Sequence, residues 1–86
     1  MTHKTRNELL ENIEKLHTTE LGIERIIRNL SLGKETHVVE WCKEKIKEPN
    51  AVIFAKGKNW YIKNEDSLIT VNAHSYTIIT AHKAKY

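Results

Sequence analysis

A single cysteine, Cys42, stands among the 86 residues, so no internal disulfide can staple this chain. That usage fits a reducing compartment, and a cytoplasmic location is expected. No apolar stretch approaches the roughly 20 residues of a membrane-spanning helix. The polar start, Thr2-His3-Lys4-Thr5-Arg6-Asn7, runs into an amphipathic pattern instead of a leader's apolar core, so no membrane partner is expected. The five histidines show no HxxxH or HxH spacing and there is no CxxC, so neither a metal nor a cofactor is expected. A P-loop, a dinucleotide fingerprint, GxSxG and paired catalytic carboxylates are all missing. Repeats, low-complexity tracts and linkers are missing too, which leaves one domain over residues 1–86. A chain this short buries only about 60–65% of its unfolded surface, so its stability is expected to be modest.

What the sequence does contain is a second half dense in strand formers. Residues 51–56, 59–63, 68–72 and 76–82 are rich in Val, Ile, Thr, Phe, Trp and Tyr, which suit a pleated, half-buried surface, and each run is of strand length. The links are short: Gly57 supplies the positive φ of a hairpin, residues 64–67 read as a four-residue polar loop, and Ala73-His74-Ser75 reads as a link of three or more residues. None is long enough for a parallel crossover, so the sheet should be an antiparallel meander. Alternation assigns Trp60, Ile62, Ile69, Val71, Ile79 and Ala81 to a helix-covered face. It leaves Tyr61, Lys63, Thr70, Asn72, Tyr76, Ile78, Thr80 and His82 on an open face.

The first half reads as helix. Leu9, Leu10, Ile13 and Leu16 recur at helical spacing over residues 5–16. Thr18 or Thr19 caps a second helix over 20–30, with Ile23, Ile26, Ile27 and Leu30 on one side. Gly22 in its first turn lowers helix propensity and suggests close packing against a strand or neighbouring helix. A third helix over 36–47 turns Val38, Val39, Cys42 and Ile46 inward and ends before Pro49. The expected fold is therefore α+β, with three N-terminal helices packed on one face of a four-stranded antiparallel β-meander.

Charge separates the two halves. Residues 1–50 carry nine Lys and Arg against nine Asp and Glu, whereas residues 51–86 carry five lysines against Glu65 and Asp66. The net charge of +3 thus lies wholly in the sheet half, which favours an anionic partner such as RNA for the sheet surface. Lysines at strand ends also discourage sheet aggregation, and that reading stands beside the first. Lys56, Lys63, Asn72, His74, Tyr76 and Lys83 are the candidate binding residues of this surface. Thr18 and Thr19, beside His17 at a helix start, could hold an anion or simply cap the helix. Tyr61 and Tyr76 could stack bases. A homodimer that hides Tyr61, Tyr76 and Ile78 in an open-face interface is a further alternative, as is a non-catalytic module for a protein or nucleic-acid partner.

Three pieces of sequence carry a resemblance. They are Leu16-His17-Thr18-Thr19-Glu20-Leu21-Gly22 with Glu24-Arg25-Ile26, then Glu40-Trp41-Cys42, and last Gly57-Lys58-Asn59-Trp60-Tyr61 with residues 69–72 and 75–83. Together they resemble an uncharacterised family of short bacterial proteins, domain of unknown function 3781, and that likeness implies no activity. A looser one exists: a helical N-terminus followed by such a meander is similar to the small metal-independent RNases of the barnase, colicin and RelE-toxin group. That resemblance implies RNA cleavage on the open face by His82 and His17 as acid and base, with Lys58 at the phosphate and Thr80 or Tyr61 positioning it. The chain departs from that group in its arginines: all three lie in the helical half.

Overall fold

A computed structural model describes residues 6–84, so the expected helix start near Thr5 lies outside the described residues. Among these residues the chain forms α1 (Arg6–Glu11), a 3-10 turn (Ile13–Lys15), α2 (Glu20–Leu30) and α3 (Val38–Lys47). Four strands follow, β1 (Val52–Lys56), β2 (Asn59–Asn64), β3 (Ser67–Asn72) and β4 (Ile78–Lys83). The strands make one antiparallel sheet in chain order, as the short links require. The fold is α+β. α2 runs along β4, while α3 and α1 reach β2 and β1 more sparsely.

The core follows from the two periodicities. Trp60, Ile62, Ile69, Val71 and Ala81 alternate onto one side of the sheet and are fully buried. They share one cluster with Leu9, Ile13, Ile26, Leu30, Val38, Cys42 and Ile46 from the helices. Burial without a partner charge pushes the Cys42 thiol up to about 12, so it stays a neutral core group.

Four details depart from the sequence reading. The first helix does not run on to residue 16. Asn12 turns its carboxamide back to donate to the Glu8 carbonyl at 2.8 Å, and the chain tightens into the 3-10 turn. The third helix starts at Val38 instead of Thr36, and no side chain caps it at His37. The loop over 64–67 is a two-residue turn, because Asn64 and Ser67 are themselves a strand pair and Glu65 takes φ +53.

The largest departure is in β4. Val71 pairs with Ile78 and Thr70 with Thr80, so Ile79 is an unpaired bulge residue. One extra residue flips the parity upstream of it. Ile78 is therefore 1% exposed in the core, while Ile79, expected inside, is 40% exposed. Tyr76, expected at the start of this strand on the open face, lies before it at φ +61 and is buried, its ring 5.4 Å from that of Trp60.

Asn64 ties the end of β2 to the end of α3. It is buried, and its amide donates to the Lys45 carbonyl at 2.8 Å and to Glu48 Oε1 at 2.7 Å, while Asn50 donates to its Oδ1 at 3.4 Å. The Lys45 carbonyl is one of those that a helix C-terminus leaves without an intrahelical partner.

The outer edge of β4 is closed by the segment leading into α2 and by α2 itself. Ile78 N donates to the His17 carbonyl at 2.7 Å, Thr18 Oγ1 donates to the Ile78 carbonyl at 2.9 Å, and Asn29 Nδ2 donates to the Ala81 carbonyl at 3.3 Å. Gly22 makes the middle bond possible, since a Cβ there would overlap Thr18 Oγ1. The Gly22→Ala change is therefore expected to gain helix propensity and lose the Thr18 bond, each worth about 1 kcal/mol, leaving stability nearly unchanged or lower. In a Thr18→Ala background the overlap with the Thr18 hydroxyl is gone and the same change should be more favourable by about 1 kcal/mol than in the native background, with the Cβ still tight against Thr19 Oγ1 at 3.3 Å. Urea unfolding of the four proteins of this cycle measures the difference, and additivity would refute the coupling.

Candidate functional site

The register assembles the open face in cross-strand rows. One row runs Phe54–Tyr61–Thr70–Thr80, and the next runs Val52–Lys63–Leu68–His82. A third, shorter row holds Lys56, Asn59 and Asn72 beside the β1–β2 turn. That turn has two residues, Gly57 and Lys58, and Gly57 takes φ +63 at the first central position, where a II′ turn favours glycine.

Phe54 and Tyr61 stack with centroids 5.5 Å apart and planes 21° off parallel. Phe54 is 47% exposed and Val52 58%, so the sheet presents aromatic and aliphatic carbon where a solvated face would present polar groups. Beside the pair lies a shallow open cavity of about 670 Å³, lined by Phe54, Lys56, Gly57, Lys58, Asn59 and Tyr61. Asn59 Nδ2 reaches the Tyr61 hydroxyl at 3.5 Å. An aromatic platform thus has ammonium groups on two sides, Lys56 and Lys58 at the turn and Lys63 one row away.

The two histidines singled out as acid and base sit at opposite ends of β4. His17 bridges Thr77 just before the strand, and His82 pairs with Leu68 near its end. Thr77 and His82 are five positions apart on extended chain, at most roughly 16 Å at about 3.3 Å per residue. The His17 ring is also engaged. Its Nδ1–H donates to the Lys15 carbonyl at 2.9 Å, and its Nε2 shares a hydrogen bond with the Thr77 hydroxyl at 3.1 Å. His82 is exposed, and its Nδ1–H donates to the Lys83 carbonyl at 2.9 Å.

The other candidate residues divide in the same way. Tyr61, Lys56, Lys58, Lys63 and Asn72 gather at or near the platform, with Thr80 at the far end of its row. Thr19 caps α2 by accepting from the Gly22 N–H at 3.0 Å, and the Thr18 hydroxyl is spent on Ile78, so both serve the fold. The Asn72 Oδ1 accepts from the backbone N–H groups of His74 and Ser75, each at 2.9 Å, and shapes the β3–β4 loop that exposes His74. Lys83 lies at the opposite end of the sheet, on a small crevice with Asp66 and Trp41. Tyr76 is removed from the open face altogether, and with Ile78 it takes away two of the three residues expected to form an apolar dimer patch. Phe54 was missed. The signal lay in the turn: a two-residue loop at Gly57-Lys58 makes Lys56 face Asn59 and hence Phe54 face Tyr61.

Residues 10–82 match the family model described as Protein of unknown function (DUF3781), and the chain belongs to that family. No curated protein and no solved structure matches it. No helix among the described residues is long and apolar enough to cross a membrane.

Proposed function

We propose that the open sheet face binds single-stranded RNA as a non-catalytic module, with the three helices gathered behind the sheet and the protein acting in the cytoplasm. The stacked, exposed Phe54–Tyr61 pair among Lys56, Lys58 and Lys63 carries this reading. Bases stack on aromatic side chains whatever their sequence, and ammonium groups along the groove track the phosphates. The excess positive charge of the sheet half draws the polyanion to this side. Binding is favoured over RNase-like cleavage because in-line transesterification needs an acid and a base on either side of one phosphate. His17 docks beside Thr77 just before β4, whereas His82 lies on β4 five positions further along the chain from Thr77.

Fluorescence anisotropy with labelled oligouridine and oligoadenosine, in EDTA and low salt, tests the reading. The native protein should bind both oligonucleotides, and Phe54→Ala or Tyr61→Ala should each weaken binding by about 1–3 kcal/mol. Lys58→Ala should lower the salt slope by about 0.7, and His82→Ala should change little. No binding by the folded native protein sinks the proposal. Strand cleavage that His82→Ala abolishes would replace it with the catalytic reading.

A further inference from the structure

The two edges of the sheet are treated differently. The outer edge of β4 is closed by His17, Thr18 and Asn29, whose groups bond Ile78 and Ala81. On β1, Val52, Phe54, Ala55 and Lys56 are exposed and Ile53 is half-buried. This strand has no proline, no bulge in its pairing with β2, and a charge only at its last residue. Protection of an edge normally takes one of those forms or a covering helix or loop, and among the described residues an apolar ribbon is left exposed.

From this we infer that β1 pairs antiparallel with β1 of a second copy about a two-fold axis at Phe54, joining two sheets into one. Lys56 and Asn59 flank a two-residue hairpin and so form a hydrogen-bonded pair, which turns the backbone groups of Val52, Phe54 and Lys56 toward β2. The N–H and C=O groups of Ile53 and Ala55 then point outward. Outward groups pair only with outward groups, and the register that overlaps all of β1 sets Ile53 against Ala55 of the partner subunit, and the reverse. About four backbone hydrogen bonds result.

The side chains of this register are self-complementary. On the core side, small Ala55 meets larger Ile53, which extends the buried row Ala81–Ile69–Ile62–Ile53. On the open side, Phe54 meets its own copy across the axis, and Lys56 meets apolar Val52. The two Lys56 residues lie at opposite ends of the ribbon, so no like charges face each other directly. A second copy therefore meets this edge without a like-charge clash. The inference does not depend on RNA binding, since edge pairing leaves the open face uncovered. The contact is small, so association should be weak and concentration-dependent.

Sedimentation equilibrium of the full chain, without nucleic acid, between about 5 and 500 μM reads the outcome. The mass should climb from the 10.0 kDa monomer toward twice that value. Ala55→Pro removes only an outward N–H and should remain monomeric with an unchanged circular dichroism spectrum. Residue 54 faces itself as a non-hydrogen-bonded pair with Cα atoms about 4.5 Å apart, within reach of a disulfide. Phe54→Cys should thus cross-link under mild oxidation. Ile53→Cys, set two positions off its own copy, should not, and buried Cys42 contributes no background. A native protein that stays at 10.0 kDa throughout leaves the edge to a foreign strand and overturns the inference. Dimers that survive Ala55→Pro, or equal cross-linking by the two cysteine variants, overturn it as well.

Discussion

Replacing Trp60 with alanine should remove about 3–5 kcal/mol of stability, a large share of the roughly 4–13 kcal/mol available to a domain of this length. Trp60 is fully buried at the centre of the sheet, between Ala55 on one side and Val71 and Ile78 on the other. It also supports Tyr76, whose left-handed backbone is strained for a bulky residue and is held by the ring contact and by the Lys15 ammonium 5.4 Å from its ring. Without the indole, Tyr76 loses its floor, and the β3–β4 loop that sets the bulge loosens with it. Trp60→Phe should cost much less, about 1–2 kcal/mol. It keeps most of the volume and deletes an indole N–H that is buried with no acceptor among the described residues. Urea unfolding followed by circular dichroism ranks the variants. Equal losses for the two would refute the account of the N–H.

Asn64→Ala is expected to cost about 2–4 kcal/mol, far beyond a surface asparagine. Two acceptors depend on its amide, the Lys45 carbonyl and the Glu48 carboxylate, and Asn64 itself is buried. Asn64→Asp is isosteric but replaces the donor with a carboxylate beside Glu48, so at neutral pH it should destabilise more than alanine does. The comparison separates packing from hydrogen bonding: if Asn64→Asp unfolds at the urea concentration of the native protein, the amide has no structural role.

RNA binding and edge pairing are compatible within one architecture. Pairing about Phe54 would set two stacking platforms side by side on a continuous sheet, and a strand long enough to touch both would bind with a gain from the second contact. Each can still fail alone, since one is read from mass without nucleic acid and the other from anisotropy.

Local sequence determined the elements that rest on strong periodicity. The helix over 20–30, the antiparallel meander in chain order, and the burial of Trp60, Ile62, Ile69 and Val71 all follow from spacing and short links. A threonine cap at residue 18 or 19 was legible too, because a first helical turn has few ways to satisfy its N–H groups, but the structure decided for Thr19 and set the Thr18 hydroxyl, not a strand or another helix, against Gly22. Tertiary structure alone decided the side of β4 that faces the core. A bulge adds one residue without altering composition, and with period-two alternation that shift inverts every side chain upstream, so Ile78 and Ile79 exchanged places. The same holds for Tyr76, whose positive φ has no local signature and persists because Trp60 and Lys15 hold the ring. The site divided along that line: Tyr61 with Lys56, Lys58 and Lys63 could be read from strand register, whereas the separation of His17 from His82 depended on where the segment before α2 docks along β4.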